Sequence, residues 1–557
     1  MKLVECVPNF SEGRDEVKIN SITDEIRNTS GAWLLDVDPG ADTNRTVVTF
    51  VGSPEAVLEA AFRAIKKASE VIDMREHKGE HPRMGATDVC PFVPVRDVTM
   101  EDCVKIAREL GARVAEELNI PVYLYEEAAT EEKRRNLANI RKGEYEGLPE
   151  KLKDSEWKPD FGEPVFNEKS GATIVGAREF LIAYNVNLNT RDRKLANKIA
   201  KNIRESGYAK KDENGKIIRD KDGDALRVQG KLDATKAIGW YVEEYGIAQI
   251  SINLINYKIT PPHVVFEEII KEAEDLGLRV TGSELVGLVP KDAMIQAGKY
   301  YLEKQGRSKG APESEVIHYA IKSLGLDEIS KFNPEDKIIE YRINKEIERL
   351  VDKSLIDFLE ELSSDSPAPG GGSVAAYSGS IASALVAMVG NLTFGKEKYK
   401  DNWEEAQNIS EDVQILKQEF LELCDEDAEA FNGLMRAFRM KKKTEEQQKK
   451  RDEMIQIQTK RATEVPLNVM RKSVKVLELA KNMGKIGNVN AISDIGVAAE
   501  LALAACRSAS LNVRINLPSI EGKEFRNKVN KEHDRIIKKI ENLYKDIIKI
   551  VEKKLID

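Results

Sequence analysis

The sequence predicts a multidomain chain in which two related α+β subdomains precede an all-α bundle. Strand and helix patterns alternate over residues 1–325, and a similar order of elements occurs there twice. After residue 354 the strand patterns stop and helical periodicity takes over. We therefore expect a ligand site in a cleft between the two related subdomains.

The first subdomain is predicted from short apolar runs that alternate with amphipathic stretches. Its predicted strands are residues 2–10, 32–38, 46–52, 88–95 and 121–126, and its predicted helices are residues 14–28, 54–72 and 100–118. Paired strands between helices favour an antiparallel or mixed sheet with helices on one face. The polar residues 127–179, interrupted by glycines and a proline, predict a long excursion rather than a core element.

A second cycle follows the same order. Its predicted strands are residues 180–188, 235–242, 247–257 and 279–289, and its predicted helices are residues 193–206, 266–276 and 290–303. The turn signals Asn214-Gly215 and Asp222-Gly223 predict a hairpin-like insertion between the first helix and the second strand.

The rest of the chain reads as a linker and then helices. Residues 331–345 are polar and charged, which is typical of a linker, and helices are predicted at residues 354–362, 373–392, 403–439, 444–483, 489–511 and 522–555. The expected domains are residues 1–179, 180–326 and 351–557, with a linker at 327–350.

Composition limits the function. A net charge of −9 over 557 residues argues against a general nucleic-acid binder. Five scattered cysteines without a CxxC pair argue against a disulfide scaffold and for a reducing, cytoplasmic compartment. Residues 373–394 are uncharged and long enough to cross a bilayer, but they hold four Ser, one Asn and one Thr, and Ala is their most frequent apolar residue. We expect a buried helix with subunit contacts in a homo-oligomer, not a membrane span.

One candidate site lies in the run HPRMGATDVCPFVPV, where a helix gives way to a strand. His81 can accept a proton near neutral pH, and Arg83 can bind a carboxylate through two hydrogen bonds. His77 lies four residues before His81, but Gly79 and Pro82 oppose helical geometry, so a metal site is not expected. Two exposed loop histidines are the ordinary alternative.

Two further segments carry polar groups whose ordinary explanation is structural. Asp36 and Asp38 share a face if they end a strand, and Arg45 opens the next strand, although turn chemistry explains the same residues. The three glycines of SPAPGGGSVAA, Gly370, Gly371 and Gly372, allow backbone N–H groups to approach a ligand or simply permit close packing.

Carboxylates on the predicted helices of the second half are the other candidates. Asp427 follows Asp425 in CDEDAEAF, where apolar neighbours favour a raised carboxyl pKa and acid–base chemistry. Asp494 lies in AISDIGVAAELALAAC, where a helix cap is the more common role.

The first half resembles the glutamate formimidoyltransferase family. The segments LVECVPNFSEGRD, DVDPGADTNRTVVTFVG, HPRMGATDVCPFVPV, GATIVGAREFLIAYNVNL and GSELVGLVP carry the resemblance in order. It implies two ferredoxin-like subdomains and transfer of a formimino group from formimino-glutamate to nitrogen 5 of tetrahydrofolate. It also implies His81 as the catalytic residue and a folate-binding loop from Gly162 to Gly171. Ser170, preceded by Lys169, stands just before that last glycine, where an aromatic residue is expected in relatives.

Charge complementarity suggests the remaining roles at this site. Arg83 or Arg45 is expected to bind the glutamate carboxylates, and Asp38 the cationic formimino group. No metal is expected, and the folate is expected to be polyglutamylated.

The last part resembles the formiminotetrahydrofolate cyclodeaminase family, which includes methenyltetrahydrofolate cyclohydrolases. The segments APGGGS, VGNLTFGK, DEDAEAF, SDIGVAA and LNVRINL carry this resemblance. It implies Asp427 as the catalytic residue in closing 5-formimino-tetrahydrofolate to 5,10-methenyl-tetrahydrofolate with loss of ammonia. Asn512 and Asp494 are expected to make lesser polar contacts in the same pocket.

Three alternatives stay open at this point. In the first, both folds are kept, but the first site uses a formyl donor and the second site is a cyclohydrolase. In the second, the chain is a non-catalytic folate-binding scaffold. In the third, another pterin carrier replaces folate.

Overall fold

The computed structural model describes residues 2–41, 43–79, 81–221, 223–346 and 349–556. It divides into two compact units. The first unit comprises the chain up to residue 293 together with residues 324–346, and the second comprises residues 294–323 and the chain from 347 onward.

The first unit begins with a seven-stranded mixed sheet. Its strands are β1 (Leu3–Cys6), β2 (Asn9–Phe10), β3 (Ala32–Gly40), β4 (Arg45–Gly52), β5 (Thr87–Arg96), β6 (Val122–Glu126) and β7 (Thr173–Ala177). Three long helices accompany it, namely α1 (Glu16–Arg27), α2 (Pro54–Val71) and α3 (Met100–Leu118). These bounds confirm the predicted strands and helices of the first subdomain to within a few residues.

The predicted excursion after β6 is partly wrong. It contains the short helices α4 (Glu132–Arg135), α5 (Leu137–Arg141) and α6 (Glu144–Lys151), as expected for a surface segment. Its end, however, is β7, which is buried throughout and pairs in parallel with both β5 and β6. Strands buried on both faces lack the alternation that marks a strand in the sequence.

The second sheet of this unit is antiparallel, with the order β11-β12-β8-β13. Its strands are β8 (Ile182–Leu188), β11 (Thr235–Val242), β12 (Ile247–Leu254) and β13 (Val280–Val286), and its helices are α7 (Arg193–Ile203) and α8 (Pro262–Glu274). At the base of the predicted insertion, the strands β9 (Tyr208–Ala209) and β10 (Arg227–Val228) pair as a hairpin does, whereas Asp222 of the second predicted turn lies outside the described residues.

The residues between β13 and the helices of the second unit also form helices. The helices α9 (Lys291–Lys304) and α10 (Glu313–Leu324) precede α11 (Pro334–Lys337) and α12 (Ile339–Glu346). In the segment predicted to be a linker, Ile338, Ile339 and Ile343 are buried, and Arg342 donates to the Leu35 carbonyl at 3.0 Å. Residues 334–346 therefore form part of the first unit.

The second unit is helical, as predicted. Its helices are α13 (Leu355–Leu362), α14 (Gly371–Thr393), α15 (Trp403–Phe438), α16 (Glu445–Ile486), α17 (Ile492–Asn516) and α18 (Lys523–Ile556). One apolar core runs through these helices. The residues around Ser308 also belong to this unit, where the Ser308 hydroxyl contacts Asn391 Oδ1 at 2.8 Å.

Two segments of the bundle meet the length and hydropathy of a membrane span, Gly371–Thr393 and Val489–Ser519. In the most apolar 18-residue stretch of each segment, 61% of the residues of the first and 56% of those of the second are buried inside the protein. A core helix of a bundle passes the same test, so the pattern alone is weak evidence for a membrane.

Candidate active sites

The His81 segment lies between α2 and β5 and is fixed by neighbouring backbone. Ser11 donates to the Gly85 carbonyl at 2.7 Å, and Gly85 forms a bridge with Gly171. Gly171 has a φ of +68°, and a Cβ there would lie 2.2 Å from the Met84 carbonyl oxygen. Only glycine fits such a position without strain. One end of the predicted folate loop therefore lies against the His81 segment.

His81 is half-buried and contacts Arg45. The Arg45 Nη1 donates to His81 Nε2 at 2.8 Å, and the same nitrogen donates to Asn9 Oδ1 at 3.0 Å. Burial, followed by the positive charges of Arg45 and Arg141, lowers the pKa of His81 to about 4. The imidazole is therefore neutral at physiological pH, which is the form that a general base requires.

Sequence reasoning missed two charged residues of this site. Arg141, on α5, forms a close ion pair with the buried Asp88 of β5. The other carboxylate oxygen of Asp88 accepts from the Met84 backbone N–H at 2.9 Å. Asp88 was visible in the HPRMGATD run, but Arg141 lies in the predicted excursion, and only the tertiary fold brings it near His81.

Arg83 is already paired, contrary to its expected availability. Its guanidinium donates to Glu144 at 3.0 Å and Glu146 at 2.6 Å, and its Nε donates to His77 Nδ1 at 3.2 Å. His77 Nε2 in turn contacts the Asn44 carbonyl at 2.9 Å. These bonds hold the His77–Arg83 segment in place. Among the residues with described positions, no cluster of His, Cys, Asp and Glu could hold a metal ion.

Arg45 differs from Arg83 because no ion pair to it is present within the described ranges. It opens β4 directly after Asn44, whose φ is +46° and whose Oδ1 accepts from the Gly13 N–H at 2.9 Å. Burial lowers the pKa of Arg45, and the negative charge of Asp38 opposes that shift. Asp38 itself is exposed on β3. Arg45 is thus the better placed of the two arginines to receive a carboxylate.

The other members of the predicted folate loop have varied surroundings. The Lys169 ammonium donates to the Glu70 carbonyl at 2.7 Å, and Ser170 is buried. Gly162 has a φ of +88° and lies beside Ala115 on α3, where it lines a surface cavity.

The second candidate site is built where α15 meets the start of α14. Asp427 accepts from the Ser373 hydroxyl at 3.1 Å, and the Ser373 backbone N–H also binds it. A Cβ on Gly372 would lie 2.1 Å from Asp427 Oδ1, so the glycine creates the space that the carboxylate occupies. Burial raises the pKa of Asp427, against the lowering effect of the Ser373 bonds.

Asp425 has a structural role instead. It accepts from the Leu350 N–H at 2.9 Å and from Arg349 Nε at 3.1 Å, and these bonds hold the entry to the helical unit.

The two polar candidates on α17 lie far apart. Asn512 lies near the start of α14, because a Cβ on Gly371 would be 3.8 Å from its Nδ2. Asp494 is in the first turn of α17, whose N-cap is Ala491 rather than Asp494. Asn512 comes eighteen positions after Asp494 on the same helix, a rise of about 27 Å. Of these two candidates, Asn512 is the one that lies near the Asp427 pocket.

Sequence models of three families match the chain. "Formiminotransferase domain, N-terminal subdomain" covers residues 3–178, "Formiminotransferase domain" covers 183–344, and "Formiminotransferase-cyclodeaminase" covers 354–535.

Individual relatives match over long stretches. A formimidoyltransferase-cyclodeaminase of Gallus gallus is 44% identical over 555 residues, covering 99% of each chain. A glutamate formimidoyltransferase of Thermoplasma acidophilum is 47% identical over 312 residues, which cover 56% of this chain and 95% of the relative. A methenyltetrahydrofolate cyclohydrolase of Methylorubrum extorquens is 37% identical over 198 residues, 36% of this chain and 95% of the relative.

Proposed function

The chain belongs to the formimidoyltransferase-cyclodeaminase family, and from that premise we propose which of its residues perform the two reactions. It is a bifunctional folate enzyme of histidine degradation. It transfers a formimino group from N-formimino-L-glutamate to tetrahydrofolate, and it cyclises 5-formimino-tetrahydrofolate to 5,10-methenyl-tetrahydrofolate with release of ammonia. We assign the transfer to residues 1–326 and the cyclisation to residues 351–557.

His81 is the general base of the transfer. Nitrogen 5 of tetrahydrofolate attacks the amidine carbon and loses a proton to the imidazole. The imidazole then returns this proton to the departing glutamate nitrogen, so the ring ends the step as it began. The observation that carries this role is the position of the half-buried His81, which contacts Arg45 and belongs to the segment bridged to Gly171 of the predicted folate loop. Burial also lowers the pKa of His81, so the ring is unprotonated at neutral pH.

Arg45 binds a carboxylate of the donor, and Asp38 binds its cationic formimino group. Arg45 has no carboxylate partner in the described parts of the chain, whereas Arg83 has two, which favours Arg45 for this role. Gly162, Lys169 and Gly171 belong to the loop that receives folate, which we expect to be polyglutamylated.

Asp427 is the proton carrier of the cyclisation. Nitrogen 10 attacks the formimino carbon, and the carboxyl group passes the proton of nitrogen 10 to the departing ammonia. Its burial and raised pKa support this role. Gly370 and Gly371 leave the start of α14 open to the substrate, and Asn512 contributes a polar contact nearby.

Several broader features complete the proposal. Each α+β subdomain is ferredoxin-like. In the second subdomain, the strand order β11-β12-β8-β13 and the helices α7 and α8, which follow β8 and β12, support this fold. The enzyme is a cytoplasmic homo-oligomer that assembles through its helical unit and has no membrane span. No metal takes part. Exposed apolar side chains on α14, including Ile381, Met388 and Leu392, are the expected subunit contacts.

A two-step assay on the full-length enzyme tests these roles. His81→Ala is expected to lose formimino transfer yet release ammonia from supplied 5-formimino-tetrahydrofolate. Asp427→Asn is expected to do the reverse. The assignment would be refuted if the wild-type enzyme released no ammonia, either from formimino-glutamate with tetrahydrofolate or from supplied 5-formimino-tetrahydrofolate. It would also be refuted if neither variant changed the rate of its own reaction.

A further inference from the structure

The contact between Arg45 and His81 covers the nitrogen that a general base needs. A guanidinium only donates hydrogen bonds, so His81 Nε2 must present its lone pair to Arg45 Nη1, 2.8 Å away. The proton of the neutral ring is then on Nδ1. This atom is buried and lacks a hydrogen bond of ordinary geometry within the described structure, with the Pro82 backbone beside it. Without substrate, Nε2 is therefore occupied.

Arg45 has no ion pair in the described parts of the chain, although charged groups surround it. Arg45 from β4 and Arg141 from α5 both act on His81 through their positive charge. Asp88 of β5 pairs with Arg141, and the negative charges of Asp88 and of the exposed Asp38 on β3 act on Arg45 without direct contact. The Nε of Arg45 is buried without a partner in the described residues. A half-buried cation without an ion-pair partner is stabilised when a carboxylate binds to it.

We propose that Arg45 gates the base: it caps His81 Nε2 in the free enzyme, and the carboxylate of formimino-glutamate draws its guanidinium away and frees that lone pair. This inference rests on the proposed transferase role of His81. Binding of the donor then has two effects, since it uncovers Nε2 and neutralises the positive charge that suppresses protonation of the ring. Arg45 is in this sense a positioning residue that acts through His81.

The gate predicts a difference between two pH profiles of formimino transfer. The profile of kcat/KM reports groups of the free enzyme, and that of kcat reports groups of the substrate complex. In the wild-type enzyme, the acid limb of kcat should lie at least one pH unit above that of kcat/KM. In Arg45→Gln the two limbs should nearly coincide, and KM for formimino-glutamate should rise at least tenfold.

NMR of histidine-labelled, full-length protein gives a readout without turnover, with L-glutamate as the probe. L-glutamate is added at the concentration at which its inhibition of formimino transfer is complete. The His81 titration should move to higher pH on addition of glutamate, while the other four histidines serve as internal references.

The two possible failures are distinguishable. Coincident acid limbs in the wild-type enzyme, or a His81 titration indifferent to glutamate, would overturn the gate even if His81→Ala still abolishes transfer. Wild-type transfer by His81→Ala would instead remove the proposed function of the site, and the gate with it.

Discussion

Replacing Gly372 with alanine is a direct test of how the second site is built. A Cβ at this position would lie 2.1 Å from Oδ1, 2.5 Å from Cγ and 2.6 Å from Oδ2 of Asp427, whereas ordinary contact begins at 3.4 Å. The carboxylate must therefore retreat by about 1.3 Å, the difference between 3.4 and 2.1 Å, because the backbone at the start of α14 is held by the Val374 N–H, which donates to the Gly370 carbonyl at 3.0 Å.

The size of the effect follows from that displacement. A shift of about 1 Å at a reacting group can cost about 100-fold in rate. We expect Gly372→Ala to slow ammonia release by about 100-fold or more, which corresponds to about 2.7 kcal/mol on the barrier. Stability should change little, because alanine gains about 1 kcal/mol over glycine in a helix while the lost Ser373 bond costs about 1 kcal/mol.

The assay is ammonia release from supplied 5-formimino-tetrahydrofolate, with formimino transfer by the same sample as the internal control. Ammonia release by Gly372→Ala within threefold of the wild-type rate, with formimino transfer unchanged, would contradict the expected displacement of Asp427.

Three other substitutions test the surrounding structure. Gly171→Ala should lower the thermal midpoint and impair transfer, because of its φ of +68° and its 2.2 Å approach to the Met84 carbonyl; an unchanged midpoint would contradict this. Burial raises the pKa of Glu5 from 4.5 to about 8, so folding takes up a proton and stability falls as pH rises from 4.5 to 8. Glu5→Gln should gain about 3 kcal/mol at pH 7 and nothing at pH 4 in denaturant unfolding, whereas an equal gain at both would exclude the mechanism. Asp425→Ala should lose about 1–3 kcal/mol of stability but keep ammonia release per folded molecule, and selective loss of release would give Asp425 a chemical role.

Long amphipathic helices were the most predictable part of this fold. The predicted helix at residues 100–118 coincides with α3, whose Thr99 and Asp102 form a capping box. The strand β7 was missed because its five residues are all buried, and such a strand has no alternating pattern. The helix α12 was missed because charged residues surround its two buried isoleucines, Ile339 and Ile343, and the four-residue α11 buries no side chain at all.

The candidate sites were predictable only as separate residues. His81 and Asp427 stood out through local sequence, but the partners that set their chemistry are distant in the chain. Arg45 is 36 residues from His81, and Ser373 is 54 residues from Asp427. The pairing of Arg83 with Glu144 and Glu146 was likewise hidden, since those carboxylates lie in a segment that looked featureless.

Measuring formimino transfer by a folded His81→Ala variant shows whether the imidazole is the general base. We expect at least a 100-fold loss of transfer, in line with the removal of a general base, while ammonia release from supplied 5-formimino-tetrahydrofolate stays at the wild-type rate. Transfer within a few-fold of wild type, in a variant whose melting profile is unchanged, would contradict this role.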